Sequence, residues 1–222
     1  MSEFVRVKIC GIRRLPDALA AVDAGADAVG LNFWRPGRRY VPPEVARQIA
    51  RALPPFVSKI GVFVDEDPEK VREIASLVGL DGLQLHGAET PEGCAAFALP
   101  VIKSIKVRGP ESLAGLGRYR VAGFLLDTHV PGAQAPGGSG QTFDWQLALR
   151  AREAGPVILS GGLTPDNVEE AIRQARPYAV DVASGVETDG EKDPGKIRAF
   201  VARVNTWNAA HQAASPTRGM QR

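Results

Sequence analysis

The sequence predicts a single-domain α/β protein, a closed (β/α)8 barrel of the TIM-barrel class. Short apolar runs of strand character alternate eight times with segments of helical periodicity, and the connections between them are brief. This alternation is typical of a parallel sheet, and eight repeats favour a closed barrel over an open sheet. With 222 residues, the chain is at the small end for such a barrel and leaves room for few insertions.

Each element follows from a local pattern. Strands are predicted at the apolar runs 5–10, 28–33, 56–64, 82–85, 101–105, 123–126, 156–159 and 178–182. Helices are predicted at 14–25, 43–53, 68–78, 90–98, 110–119, 143–154, 164–175 and 194–207. Pro16 and Gly25 flank the first helix, and Thr164 and Pro165 are expected to begin the seventh as its N-cap and first residue.

Two segments fall outside the repeating pattern. Residues 129–142 are rich in glycine and proline and form a candidate lid over the strand ends. The barrel domain is assigned to residues 1–208. Residues 209–222 have no periodic apolar face, and we expect them to form a disordered tail.

Composition limits the possible partners. The chain is 44% hydrophobic and 23% charged, with a net charge of +2, which argues against nucleic acid or an anionic membrane as the main partner. Its two cysteines make no disulfide framework, and no Cys/His spacing suggests a metal site. No apolar stretch is long enough to span a bilayer. We therefore expect a cytoplasmic protein with a small-molecule ligand.

Two candidate proton-transfer groups end predicted strands. Cys10 closes the first strand and precedes Gly11, and Asp127 follows the apolar end of the sixth. The carboxyl ends of all eight strands meet at one rim, where barrel enzymes carry their chemistry. Cys10 is thus either a catalytic thiol or a small buried hydrophobe, and Asp127 either an acid or a residue that braces a loop.

Lys8 has the same strand parity as Cys10, so both side chains are expected on the inner face. A buried ammonium needs a partner, and strands one and eight are neighbours in a closed barrel. Asp181 is therefore the candidate partner of Lys8, in a supporting pair beneath the site. The cationic neighbour is expected to favour the Cys10 thiolate.

Glycine turns follow the last two strands and favour a phosphate ligand. Gly161 and Gly162 follow strand seven, while Ser184 and Gly185 follow strand eight, where barrels of this kind bind phosphate with backbone N–H groups. The alternative is that these glycines only form tight turns.

Two further residues at strand ends are candidates for substrate binding. Arg39, after strand two, could hold a second anionic group such as a carboxylate, or it could be a solvated loop arginine beside Arg38. His86 ends strand four and points to the rim, either as a substrate-binding or as a structural histidine.

Ordered sequence blocks extend over nearly all of residues 4–205. They are VKICGI at 7–12, GADAVG at 25–30, GVFV at 61–64, QLHG at 84–87, LLDT at 125–128, GGSG at 137–140, TFDW at 142–145, SGGL at 160–163, DV at 181–182 and SGVE at 184–187. In these blocks the chain resembles the phosphoribosylanthranilate isomerases of tryptophan biosynthesis. It departs from the usual pattern at Ala183, where many relatives have serine, in a longer loop at 129–134 and in its extra tail.

The resemblance implies a cofactor-free Amadori rearrangement of N-(5'-phosphoribosyl)anthranilate. By position, Asp127 would be the general acid that opens the ribose ring, and Cys10 the general base that removes the C2 proton. Arg39 would hold the anthranilate carboxylate, although Arg38 leaves a one-residue ambiguity. The glycine turns would hold the phosphate, and Gly138 is a further substrate-binding candidate in its matching block. No metal is implied, and a monomer is preferred over a homodimer.

Three other interpretations compete with this one. A histidine-pathway or dual-substrate Amadori isomerase has the same barrel, but that chemistry relies on paired aspartates, whereas Cys10 occupies the first-strand position here. A phosphate-binding barrel without catalysis would need neither Cys10 nor Asp127. An unrelated barrel with a core cysteine would leave all the matching blocks to coincidence.

Overall fold

A computed structural model describes residues 4–128 and 144–212. Eight parallel strands form a closed barrel in the sequence order of the strands, which confirms the predicted fold. The candidate lid at 129–142, including Gly138, lies outside the described residues, as does the chain beyond residue 212. Among the helices of the described part, none is long and apolar enough to cross a membrane.

The strands of the barrel lie close to their predicted positions. They are β1 Arg6–Cys10, β2 Ala28–Asn32, β3 Ser58–Phe63, β4 Gly82–Leu85, β5 Val101–Val107, β6 Gly123–Thr128, β7 Val157–Leu159 and β8 Ala179–Val182. Seven α-helices are described: α1 Leu15–Ala24, α2 Pro43–Ala52, α3 Pro68–Val78, α4 Pro91–Ala95, α5 Gln146–Ala151, α6 Val168–Ala175 and α7 Pro194–Gln212. A short antiparallel hairpin, β9 Glu187–Thr188 and β10 Glu191–Lys192, follows β8.

Several predicted helices differ from the structure. Helix α4 ends at Ala95 and not at Ala98, and α5 covers only Gln146–Ala151 of the predicted 143–154. The segment predicted as a helix at 110–119 forms two 3-10 turns, Pro110–Leu113 and Leu116–Arg118, because Ala114 is extended and Gly115 is left-handed. Helix α6 begins at Val168 and not after Thr164. The Asn167 side chain folds back to accept from the Thr164 N–H and to donate to the Gly162 carbonyl, so the residues from 164 to 167 form a loop.

The last helix is longer than predicted. It continues to Gln212 and not to Trp207, so residues 209–212 are helical and the expected tail cannot begin at 209. Asn208 is buried, and its amide group accepts from the Val5 N–H at 2.8 Å and donates to the Val5 carbonyl at 2.9 Å. One turn further on, the His211 ring stacks on Trp207 with centroids 3.8 Å apart. The Asn208 hydrogen bonds hold the end of α7 against Val5, just before β1, and the ring stack lies within the helix itself.

Strand alternation divides the buried side chains into two groups. The larger core lies between the strands and the helices and includes Val7 and Ile9 of β1. A small separate cluster of Leu125, Ile158 and Ala179 packs with Ile102, on the opposite strand face. Lys8 and Cys10 also lie opposite to Val7 and Ile9, so the interior is apolar in one layer and polar in the layers nearer the carboxyl ends.

Candidate active site

The mouth of the barrel brings together most of the predicted site residues. Cys10 ends β1, Asp127 is the penultimate residue of β6, and His86 follows β4 directly. The glycine turns after β7 and β8 and the Arg39 loop after β2 lie on the same rim. Strands β7 and β8 separate β6 from β1, so the thiol and the carboxyl group approach the mouth from different sides.

The thiol of Cys10 is packed against Gly30 on the neighbouring strand. The register pairs Cys10 with Gly30, and an ideal Cβ at Gly30 would lie 2.8 Å from Cys10 Sγ and 3.1 Å from Lys8 Nζ. The sulfur and the ammonium nitrogen are therefore separated by at most about 6 Å, the sum of these two distances. Only a residue without a side chain leaves room here for both groups.

Beneath the thiol, Lys8 and Asp181 form the predicted pair. The register places them side by side in β1 and β8, and Lys8 Nζ lies 2.6 Å from Asp181 Oδ1. Both side chains are buried, and Ser160 Oγ donates to the other Asp181 oxygen at 3.4 Å. Burial by itself lowers the pKa of Lys8, but the Asp181 carboxylate and the Cys10 thiol outweigh it, so this pKa ends above its ordinary value. Lys8 therefore stays charged.

The ionisation of Cys10 differs from the expectation. Burial raises the pKa of the thiol, and the Asp181 carboxylate raises it further, whereas Lys8 and Lys192 lower it. The net pKa lies above the ordinary value, so the thiol and not the thiolate is the resting form. The prediction counted the cation at Lys8 and left out burial of the thiol, which is the largest contribution, and the Asp181 carboxylate.

Asp127 is buried among hydrogen-bonding groups. Its Oδ1 accepts from the Thr128 N–H at 2.9 Å, and its Oδ2 lies 3.4 Å from His86 Nε2. Gly161, with φ +84°, lies so close that a Cβ there would come within 2.9 Å of Asp127 Oδ1 and would overlap Thr128. The turn after β7 is thus packed directly on the carboxyl group.

The two glycine turns form one continuous surface. Gly161 and Gly162 have φ of +84° and +66°, and the Ser184–Val186 segment forms a 3-10 turn directly after β8. A Cβ at Gly185 would overlap the Leu163 carbonyl, so the second turn lies against the chain that leaves the first. Within the described part of the chain, the amides of Gly161, Gly162, Ser184 and Gly185 donate no hydrogen bond to another residue. This arrangement could bind an anion such as phosphate.

Arg39, and not Arg38, is the arginine at the edge of the mouth. Its aliphatic stem lies over Gly11, which has φ +79° and leaves no space for a Cβ beneath it. Its guanidinium binds Glu187 in two places, Nε–Oε1 at 2.7 Å and NH2–Oε2 at 2.9 Å. The Arg39 side chain is 12% exposed, whereas that of Arg38 is 57% exposed.

Glu187 was not predicted, and it organises the positive charge at this edge. It accepts from Arg38 at 3.0 Å, from Arg39 and from Lys192 at 2.8 Å, so one buried carboxylate faces three cations. Burial by itself raises the pKa of Glu187, but Arg39 and Lys192 outweigh it, and the pKa ends below its ordinary value. The excess of positive charge suits a further anionic group, such as a ligand carboxylate.

Two other features were missed, and one of them left a signal in the sequence. Lys192, on the hairpin after β8, is buried, donates to the Ala183 carbonyl at 2.9 Å and contributes to the field at Cys10. Nothing in the sequence marks this lysine. Gly30 interrupts an apolar strand, which is a recognised sign that another part of the chain approaches the backbone closely.

No group of three or more His, Cys, Asp or Glu residues in the described ranges could hold a metal ion.

A barrel with a thiol and a carboxyl group at its mouth, and with paired glycine turns after its last two strands, belongs to the class of barrel enzymes that act on small phosphorylated molecules. Residues 7–203 match the family model described as N-(5'-phosphoribosyl)anthranilate (PRA) isomerase. The chain belongs to the PRA isomerase family. It is accordingly an isomerase of tryptophan biosynthesis, as the resemblance predicted.

Individual proteins and solved structures that are similar to this chain carry the same family name. The N-(5'-phosphoribosyl)anthranilate isomerase of Desulforudis audaxviator is 54% identical over 198 residues, which cover 88% of this chain and 95% of the relative. The isomerase of Geobacter metallireducens is 52% identical to this chain, and the match covers 90% of this chain and 98% of the relative. The Thermotoga maritima enzyme, known from a crystal structure, is 47% identical in sequence to this chain. The two folds superpose with a TM-score of 0.85, and the match covers 91% of this chain and 100% of the relative. A structure of a phosphoribosyl anthranilate isomerase with reduced 1-(o-carboxyphenylamino)-1-deoxyribulose 5-phosphate is 45% identical, has a TM-score of 0.82 and covers 91% and 100%.

Proposed function

We propose that this isomerase works by a cofactor-free Amadori rearrangement, in which Asp127 is the general acid and Cys10 the general base. The product would be 1-(2-carboxyphenylamino)-1-deoxy-D-ribulose 5-phosphate. The observation that carries the proposal is the placement of a thiol and a carboxyl group on two sides of one barrel mouth. The reduced product analogue bound by a relative supports the same class of ligand.

The two groups would act in sequence. Asp127 donates its proton to the ribose ring oxygen as the C1–O bond breaks, and the nitrogen lone pair forms the iminium. The Cys10 thiolate then removes the C2 proton, and the electrons of that C–H bond neutralise the iminium to give the enolamine. The enolamine becomes the ketone when C1 gains a proton and the C2 hydroxyl loses one, so the reaction is an isomerisation overall.

The surroundings of Cys10 suit a base of this kind. Because burial and Asp181 raise the pKa of the thiol, the thiolate that forms is a stronger proton acceptor than an unperturbed one. Lys8 and Lys192 supply positive charge that stabilises the thiolate and so lowers the free energy needed to form it. The pair of Lys8 with Asp181 would therefore support catalysis by setting the proton affinity of the base.

The substrate would be held at both ends. Its phosphate would bind the N–H groups of Gly161, Gly162, Ser184 and Gly185. Its anthranilate carboxylate would bind Arg39, sharing the positive charge gathered around Glu187. His86 would lie between these anchors, beside the acid. Gly138 stays a further candidate.

Turnover of freshly generated substrate tests this assignment, with loss of anthranilate-type fluorescence as the signal. Cys10→Ser and Asp127→Asn should each lower turnover by about 10²-fold or more, the usual effect of losing a general acid or base. Wild-type-like rates in either variant would contradict the role of that residue. Binding of the reduced product analogue without any turnover by the wild type would instead favour a phosphate-binding barrel.

We further propose that the chain is a monomer, with a homodimer as the alternative. The T. maritima relative is described as dimeric, so the question needs a direct measurement. Phe56, between α2 and β3, is 96% exposed and would be the natural anchor of an interface. Light scattering should give the mass of one chain. A doubled mass that Phe56→Ser returns to that of a single chain would establish the dimer.

A further inference from the structure

Gln84 lies directly beneath His86 on the inner face of β4, and the mechanism above gives it no role. Its side chain is 1% exposed, and its amide Nε2 lies 2.9 Å from His86 Nδ1. The His86 backbone N–H donates to the Phe63 carbonyl at 2.8 Å, so both the backbone and the ring of this histidine are held. A buried glutamine that contacts one ring nitrogen can decide which nitrogen carries the proton.

The contact selects one tautomer. The structure places Gln84 Nε2, and not Oε1, against the ring. An amide nitrogen only donates, so in this arrangement His86 Nδ1 accepts and the ring proton is on Nε2. That Nε2 is buried, has no hydrogen-bond partner in the described part of the chain, and lies 3.4 Å from Asp127 Oδ2. This distance is longer than an ordinary hydrogen bond, but a small movement of the carboxyl group would close it.

We infer that Gln84 is a positioning residue, which holds His86 as the Nε2–H tautomer so that this N–H stabilises the Asp127 carboxylate once the acid has delivered its proton. The Thr128 N–H already bonds one carboxylate oxygen at 2.9 Å, and the His86 N–H would bond the other. The opposite tautomer would turn a lone pair toward the carboxylate and oppose the proton transfer. The catalytic part of this inference rests on the proposed role of Asp127. The tautomer itself does not.

Nitrogen NMR of the full-length protein labelled with 15N-histidine reads the tautomer directly, because protonated and lone-pair ring nitrogens resonate at well-separated frequencies. The chain has three histidines, so His86→Asn assigns the signal. We expect His86 to carry its proton on Nε2 in the wild type and to lose this preference in Gln84→Leu. Gln84→Glu places an acceptor beneath the ring and should move the proton to Nδ1 or add a second one.

Turnover links the tautomer to the reaction. Gln84→Leu should lower kcat by tenfold or more with a smaller change in KM, well short of the ~10⁴ loss known for a wrong histidine tautomer in a protease triad. Ser104→Ala is the matched control. It removes a buried hydroxyl from the adjacent strand β5 without touching the Gln84–His86 bond, and it should leave the His86 signal unchanged.

The outcomes separate the inference from the proposed function. A proton on Nδ1 in the wild type, or an Nε2–H form that survives in both folded Gln84 variants, would overturn the inference even if the enzyme turns over as proposed. A retained tautomer preference together with full activity of Asp127→Asn would leave Gln84 in control of His86 and would remove Asp127 as the acid. If Gln84→Leu does not fold, Gln84→Met, which also lacks the amide donor, gives the same decision.

Discussion

Asp181→Asn should convert Cys10 from a mostly protonated thiol toward a thiolate. The substitution keeps an oxygen for Lys8 Nζ and removes the negative charge that raises the thiol pKa. The Asp181 oxygen is 2.6 Å from Lys8 Nζ, which lies within about 6 Å of Cys10 Sγ, so oxygen and sulfur are at most about 8.5 Å apart. With an effective dielectric constant of about 20, one charge at that distance contributes about 2 kcal/mol or more.

This energy corresponds to an increase of about thirtyfold in the ratio of thiolate to thiol. Alkylation of Cys10 by iodoacetamide follows the thiolate, but a less basic thiolate is also less nucleophilic, so the rate at pH 7 should rise only about sixfold. The midpoint of the rate against pH should move to lower pH. The rising limb of kcat/KM should move in the same direction, because the base must lose its proton before it acts.

The assay needs one reactive thiol and a matched charge control. Cys94→Ala removes the other cysteine, which is buried in α4. Asp81→Asn removes a carboxylate that is also paired with a lysine, Lys59 at 2.9 Å, but lies outside the barrel mouth. The control should leave the alkylation profile unchanged. An Asp181→Asn midpoint that stays in place or moves to higher pH would refute the electrostatic account of the thiol.

Three further substitutions test other parts of the site and fold. Gly30→Ala should lower turnover strongly, because its Cβ would come within 2.8 Å of Cys10 Sγ. Asn208→Ala should lower the urea-derived free energy of unfolding by about 2–4 kcal/mol, since both backbone groups of Val5 lose their partner. Glu187→Gln should raise KM more than it lowers kcat. Burial raises the pKa of Glu187, but Arg39 and Lys192 lower it overall, so its stabilisation of the wild type should be complete above the ordinary pKa of a glutamate and be lost as pH falls through the lowered pKa.

Sequence periodicity was sufficient to predict the barrel but not its weaker helices. Strands with apolar runs and helices flanked by proline and glycine were placed within a few residues. The segment after β5 carries two glycines, and a left-handed Gly115 divides it into 3-10 turns. The end of α7 was missed because a single side chain, that of Asn208, fixes it through a contact about 200 residues away in sequence.

The site contacts between neighbouring barrel strands could be predicted from the sequence. The pair of Lys8 and Asp181 follows from strand parity and from the adjacency of β1 and β8 in a closed barrel. Lys8 lowers the pKa of Cys10 as predicted, but the net pKa is raised, because burial and Asp181 outweigh Lys8 and Lys192 by amounts that depend on distances, which parity does not give. Glu187 and Lys192 come from a hairpin beyond the barrel, where no periodic pattern applies.

The two sides of the mouth surround their candidate proton-transfer groups with different kinds of neighbour. Around Cys10 the neighbours are ions, so the proton affinity of the thiol is set by a balance of charges that one substitution can shift. Around Asp127 the neighbours are hydrogen-bonding groups, the Thr128 amide and a histidine ring oriented by Gln84, which act on the carboxylate through direction and not through net charge. Such contacts weaken steeply with misalignment, whereas charge interactions persist over several ångströms. The hydrogen bonds of Asp127 therefore require the close packing of Gly161. The charge interactions of Cys10 do not, so they can come from lysines as far apart in the chain as Lys8 of β1 and Lys192 of the hairpin.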